Sequence, residues 1–183
     1  MSVISAGVAQ LPAGVWVLDP VHSSVGFSVK HMVASTFRSH FDEFSADLAV
    51  EEDGAARLSG TVASGSIAVK HPDFAAHLAA PDFFDSERHP DLRFESTLVR
   101  RDGPVVELDG QLTIKEHTLP ITAIGTVVDP HEDPFGHVWM GLELETRIDR
   151  RQFGMEWNMP LPKGGFALGN EVKLQVNLAF TRA

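Results

Sequence analysis

The 183-residue chain is 43% hydrophobic and 22% charged, which is typical of a globular protein, and it carries a formal net charge of −10. Its length favours one domain, which we assign to residues 15–183 after a loose N-terminal lead-in at residues 1–14. The acidic balance argues against nucleic acid and disfavours docking on anionic lipid surfaces, while the lack of cysteine excludes disulfides and thiol chemistry.

The chain contains no apolar run of the ~18–20 residues that a transmembrane helix needs. Its first residues, MSVISAGVAQLPAG, lack the basic and continuously apolar segments of a secretory signal. The sequence therefore predicts a cytoplasmic protein with no transmembrane segment.

Alternation of apolar and polar residues, which indicates strands with one buried face, recurs along the chain. After a short strand at 15–18, residues 21–33 alternate so that Phe27, Val29 and His31 share a face. Further strands are predicted at 41–50, 57–69, 91–100, 106–114, 120–128, 138–148 and 172–178. The short turns between them imply antiparallel neighbours. About eight such strands predict a barrel or a sandwich, and a closed barrel of that size holds either side chains or one small ligand.

Residues 71–96 interrupt this alternation with two prolines that precede short apolar runs. Because proline suits the first turn of a helix, two helical turns are predicted at about 72–79 and 81–86. This helical insertion, at about 71–88, is expected to act as a lid on one end of the barrel. Phe83 and Phe84 would lie on its underside; a purely structural plug over a filled core is the alternative.

The spacing of the nine histidines matches neither a His-x-His strand site nor an i,i+4 helix site, so we expect no metal. Glycine-rich nucleotide motifs and a Gly-x-Ser-x-Gly elbow are also lacking, and we expect no catalytic residues and no obligatory cofactor. The aromatic set of twelve phenylalanines, three tryptophans and no tyrosine offers apolar area without hydroxyl groups. Composition leaves open whether this area forms a solid core or lines a cavity.

Several motifs taken together identify a family resemblance. They are Trp16-Val-Leu-Asp-Pro-Val-His-Ser23, Val25-Gly-Phe-Ser-Val-Lys-His31, Asp82-Phe-Phe-Asp85, Asp109-Gly-Gln-Leu-Thr-Ile-Lys115 and Ile148-Asp-Arg-Arg-Gln-Phe-Gly154. In this order they resemble the YceI-like family of bacterial polyisoprenoid-binding, lipocalin-like proteins, over essentially residues 15–180. The resemblance implies an all-β fold, an eight-stranded antiparallel β-barrel that holds an isoprenoid, quinone or other lipid. The resemblance does not imply an enzymatic activity, and it is compatible with a homodimer.

The predicted function is therefore the non-enzymatic binding and carriage of an elongated apolar lipid in the barrel interior. The expected ligand-binding residues lie on apolar strand faces and on the lid: Phe27, Val29, His31, Phe44, Phe83, Phe84, Phe94, Leu112, Met140 and Leu142. Basic residues that cluster locally could hold an anionic head group, and the candidates are Arg38, His77 and Arg88. A histidine-dependent enzyme acting on a small apolar substrate and a stress-related structural barrel with a filled core are the alternatives.

Overall fold

The computed structural model describes residues 10–183, so the first nine residues of the predicted lead-in lie outside the described part. Helix α1 spans Pro72–Ala79, and short 3₁₀ turns lie at Ser64–Ser66 and Arg150–Phe153. The strands are β1 (Gly14–His31), β2 (Ser35–Phe41), β3 (Phe44–Val50), β4 (Ala56–Ala63), β5 (Asp91–Asp102), β6 (Val105–Ile114), β7 (His117–Glu132), β8 (Val138–Asp149) and β9 (Leu168–Arg182).

These strands form one closed antiparallel barrel, because β1 and β9 pair and complete the circle. The first residues of β1 pair with β3 and its last residues pair with β2. Since only Asp42 and Glu43 separate β2 from β3, these two act as one interrupted strand, and the nine strands build an eight-stranded barrel. The predicted all-β, eight-stranded antiparallel fold with a short helical insertion is confirmed.

The structure differs from the predicted elements at several points, and the strand predicted at 57–69 already ends at Ala63. Residues 35–40 form most of β2, a strand that was not predicted. Their sequence does not alternate, because Phe37 is the one large apolar residue among polar ones. Asp19-Pro20 does not end a strand; it lies at a register shift of the β1–β9 pairing, a place where proline is tolerated. Residues 81–84 form hydrogen-bonded turns rather than a second helix, with Phe83 N donating to Ala80 O.

The barrel has two different ends. At the end that holds the turns at 51–55 and 133–137, large side chains pack together, and we call it the filled end. Its core comprises Leu11, Trp16, Leu48, Val50, Leu58, Val106, Leu108, Ala123, Val127, Met140, Leu142, Leu144, Leu178 and Phe180. The predicted lead-in is not entirely loose, since Leu11 is buried in this core and Pro12 O accepts from Trp16 Nε1.

The opposite end, which we call the lid end, is covered by α1 and the turns that follow it. A second cluster lies beneath them and comprises Phe41, Leu78, Phe83, Phe84, Leu112, Ile114, Ile148, Phe153 and Met155. The β1–β2 turn and the β8–β9 connection, residues 150–167, surround this end. Within residues 10–183, no helix has the length and apolar character needed to cross a membrane.

Candidate ligand cavity

A cavity of about 200 Å³ lies inside the barrel, between the filled end and the lid. It is larger than the ~150 Å³ apolar cavity that can hold benzene, and smaller than the ~300–1,000 Å³ of typical ligand pockets. The atoms that line it are almost entirely apolar. The barrel interior is therefore not filled throughout, and the empty part suits a narrow apolar group.

Small inward-facing residues in the middle of the barrel create this space. Ala46 on β3 and Gly60 on β4 are direct partners across the two strands, and both line the cavity. A Cβ atom added at Gly60 would meet only Ser45 O, at 3.5 Å. On the adjacent strands β5 and β6, a Cβ added at Gly110 would lie 2.5 Å from the Phe94 ring. Gly110 thus leaves room for the ring of Phe94, another residue of the cavity wall.

Most of the predicted ligand-binding residues are brought together around the cavity. Those that line it are Phe27, Val29, Phe44, Phe83, Phe84, Phe94 and Leu112. Met140 and Leu142 face inward but belong to the filled end, where they are 2% and 1% exposed. His31 is exposed at the end of β1, beyond the cavity. These three residues lie outside the cavity because alternation gives the face of a residue and not its depth along the barrel.

The lid contributes Leu78 from α1 together with Phe83 and Phe84 from the following turn. The Phe84 ring packs edge-on against Phe41 with centroids 5.6 Å apart, and the Phe83 ring lies 5.6 Å from Trp157. Phe83 and Phe84 are 7% and 9% exposed. They therefore close the cavity and also form part of the packed core at this end.

The predicted head-group residues lie apart from one another and do not line the cavity. Arg38 is exposed on the outer face of β2. The His77 ring packs edge-on against Phe83 and Trp157, with centroids 4.9 and 5.0 Å apart. Arg88 is ion-paired with Asp85, and this hydrogen bond holds the pKa of the Asp85 carboxyl below its usual range. The Asp85 backbone is left-handed, with φ of 50°, so Arg88 stabilises the turn below the lid.

Arg150 is a charged residue of the cavity wall that the sequence analysis did not identify. It is 3% exposed. Its Nε donates to Gly169 O at 2.8 Å, and its Nη1 donates to the carbonyl oxygens of Met155 and Trp157 at 2.5 and 2.9 Å. Burial lowers the pKa of Arg150 from its ordinary value. Because carbonyl groups occupy these donors, Arg150 organises the β8–β9 connection.

Other cavity residues that the prediction omitted lie on strands with the predicted alternation: Val25, Val62, Leu92, Ile121, Val172 and Leu174. The alternation of the sequence could have identified them as inward-facing residues. It could not have shown that they lie at the level of the cavity along the barrel axis. Among residues 10–183, no group of three or more His, Asp or Glu side chains is arranged to hold a metal ion.

A closed eight-stranded antiparallel barrel with an apolar cavity under a short helix defines a small lipocalin-like barrel protein. The model of the YceI-like domain matches residues 16–180, and the chain belongs to this family.

Two relatives agree with this assignment. A UPF0312 protein of Staphylococcus aureus (strain N315) is 30% identical over 171 residues, which cover 89% of this chain and 95% of the relative. Protein YceI of Escherichia coli O157:H7 is 26% identical over 140 residues, covering 75% of this chain and 73% of the relative.

Two solved structures share the fold. BcnA of Burkholderia cenocepacia superposes with a TM-score of 0.75 at 21% identity, covering 88% of this chain and 98% of BcnA. A domain of Saccharophagus degradans, described as a polyisoprenoid binding domain implicated in plant cell wall breakdown, gives a TM-score of 0.66 at 12% identity. That likeness covers 92% of this chain and 98% of the domain.

Proposed function

We propose that the protein binds an elongated apolar lipid in its barrel cavity and carries it without chemical conversion. The ligand class is a polyisoprenoid, an isoprenoid quinone or a long-chain fatty derivative. The observation that carries the proposal is the cavity of about 200 Å³, whose lining is almost entirely apolar. The similarity of the fold to that of the Saccharophagus degradans polyisoprenoid binding domain supports the proposal.

Apolar burial supplies the driving force. Each CH₂ group removed from water contributes ~0.8 kcal/mol, so a stretch of roughly ten carbons contributes several kcal/mol before the costs of ordering it. A wall without aligned polar groups selects a ligand by width and flexibility rather than by hydrogen bonds.

A polar head group has no matching partners inside this cavity, so it would lie at the lid end. The filled end is closed by a tightly packed core that includes Trp16 and Phe180. The lipid would enter at the lid end with its apolar tail first. The part of the lipid that is too long for the cavity would lie under the lid.

The proposal is tested with a variant that fills the cavity. Ala46→Phe places a ring opposite Gly60, whereas Ala49→Phe places the same ring on the exposed outer face of the same strand. Native mass spectrometry and organic extraction of the purified proteins report bound lipid, and geranylgeraniol, ubiquinone and palmitate serve as added probes. Wild type and Ala49→Phe are expected to carry or take up a long-chain molecule, and Ala46→Phe to lose this capacity. Wild-type protein that is lipid-free and takes up none of the probes would contradict the proposal.

A further inference from the structure

The turn between β1 and β2 exposes two apolar side chains in a backbone conformation that disfavours them. Met32 and Val33 are both left-handed, with φ of 52° and 61°. Glycine and asparagine are the usual residues at such positions, and a β-branched residue there is a genuine outlier. Met32 and Val33 are nevertheless 40% and 68% exposed. These residues adopt a backbone conformation that their side chains disfavour, and the side chains do not become buried in return. Such a combination is typical of a functional site.

Further exposed apolar side chains lie around this turn. Phe166 and Met159, on the β8–β9 connection, are 59% and 47% exposed. The connection contacts the turn directly, since Met32 N donates to Ala167 O at 2.7 Å. Phe74 of α1, whose ring packs against Phe37 of β2, is 38% exposed. We call the set of Met32, Val33, Phe74, Met159 and Phe166 the apolar rim.

The charge of the chain is unevenly distributed between the two ends. The segments that carry the apolar rim also carry exposed basic residues that form no ion pair within residues 10–183, namely Lys30, Arg38, Lys70 and Lys163. Four exposed acids of the lid end that also form no ion pair within residues 10–183 balance them in number, namely Asp73, Asp82, Glu87 and Glu156. The strand ends and turns at the filled end carry an excess of acid: Glu51, Glu52, Asp53, Asp102, Asp129, Glu132 and Asp133. An anionic surface would therefore repel the filled end and orient the lid end, where these charges balance, toward itself.

Aromatic rings connect the cavity to the apolar rim. Phe27 lines the cavity, and its ring centroid lies 5.9 Å from that of Phe37 on β2. The Phe37 ring lies 5.2 Å from that of Phe74 on α1. An apolar chain that passed between α1 and β2 would remain in contact with aromatic rings along this path.

We propose that the lid end is a membrane-docking surface. The apolar rim enters the interfacial region of a bilayer that contains anionic lipids, and the basic residues contact lipid head groups. Lipid exchange then takes place between α1 and β2, which shields the ligand from water during transfer. The exchange step depends on the proposed lipid carriage, but docking can be measured without any ligand. The net charge of −10 disfavours anionic membranes only when its distribution is ignored.

The test is co-sedimentation with vesicles of phosphatidylglycerol and phosphatidylcholine, compared with phosphatidylcholine alone. The variant Val33→Ser/Phe166→Ser removes two side chains of the apolar rim. The matched control, Phe135→Ser, removes a phenylalanine that is 85% exposed in the β7–β8 turn at the filled end. Wild type and Phe135→Ser are expected to sediment with the mixed vesicles, and the double variant to partition at least about tenfold less. An unchanged thermal midpoint confirms that the double variant is folded.

The charged residues are tested separately with Lys30→Glu/Lys163→Glu, which is expected to abolish the preference for anionic vesicles. Equal sedimentation of wild type and the apolar double variant, or wild type that binds neither vesicle, overturns the proposal. In the second case, a wild-type dimer that the double variant loses would identify a second copy as the occupant of the apolar rim. Ala46→Phe should dock like wild type, so a failure of lipid carriage and a failure of docking are distinguishable.

Discussion

The side chain of Arg150 carries a positive charge into the cavity wall and joins three parts of the β8–β9 region. Its partners are the carbonyl groups of Met155, Trp157 and Gly169 and the side-chain oxygen of Asn170. Burying an ion is unfavourable unless its hydrogen bonds are satisfied, and here backbone oxygens satisfy most of them. Arg150 therefore fixes the segment that forms one side of the lid end.

Replacement of Arg150 by methionine should keep the aliphatic packing and remove these hydrogen bonds. The carbonyl groups would stay buried without donors, and we expect the free energy of unfolding to fall by about 3 kcal/mol. The control is Arg147→Met, which removes a side chain that is 59% exposed and paired with Glu171 at 2.8 Å; we expect a loss below about 1 kcal/mol. Chemical denaturation measures both, and equal losses would show that Arg150 does not organise the connection.

At the scale of elements, helix α1 depends on its surroundings. It has eight residues, too few for a stable isolated helix, and buries Leu78 against the second core cluster. Lys115 Nζ donates to Pro81 O at 3.0 Å and to Gly154 O at 3.2 Å, which joins the lid to the β8–β9 connection. On the side of β2, the contacts are the ring pairs Phe37–Phe74 and Phe41–Phe84. The lid is thus held to the β8–β9 connection by hydrogen bonds and ring contacts, and to β2 by ring contacts, and we expect it to open on the side of β2.

Cross-linking α1 to β2 should trap a bound ligand. The chain has no cysteine, so Phe37→Cys/Phe74→Cys can be joined specifically by a cleavable bis-maleimide. We expect the release of cis-parinaric acid to slow at least about tenfold, and reduction of the linker to restore it, since lid opening gates exchange. The same linker between Val17→Cys and Thr181→Cys, which are partners across β1 and β9 far from the lid, should leave release unchanged. Equal release from linked and unlinked protein would place the exit elsewhere.

How far the elements could be predicted depends on what alternation encodes. A period of two identifies the inward face of each strand, which is why most predicted cavity residues face the barrel interior. It does not encode height, so Met140 and Leu142 were placed in the cavity although they pack at the filled end. Arg150 was missed as a wall residue because its partners are backbone carbonyls from a connection without regular structure. The apolar rim was missed because it depends on the left-handed turn at Met32 and Val33.

At the scale of the whole molecule, the tightly packed core and the empty cavity lie in different parts of the barrel. The filled end packs tightly, with Phe180 and Val106 both 0% exposed. The β1–β9 pairing begins there with Trp16 opposite Arg182, and the guanidinium of Arg182 lies over the Trp16 ring, 5.0 Å from its centroid. An empty cavity of about 200 Å³ costs on the order of 5 kcal/mol relative to a filled one, by ~24 cal/mol per Å³. A barrel without a ligand function would be more stable if its middle were filled.

The cavity-filling variant should therefore separate stability from binding. Ligand at about one hundred times its Kd should stabilise wild type by ~2.7 kcal/mol, which raises the Tm of a domain of this size by roughly 5–10 °C. Without ligand, Ala46→Phe should melt above wild type because its ring occupies empty space, and added ligand should not shift its Tm further. Ala49→Phe should behave like wild type in both measurements, by scanning calorimetry with and without geranylgeraniol. A ligand shift in Ala46→Phe as large as in wild type would mean that the ligand stabilises the barrel from a site outside the cavity.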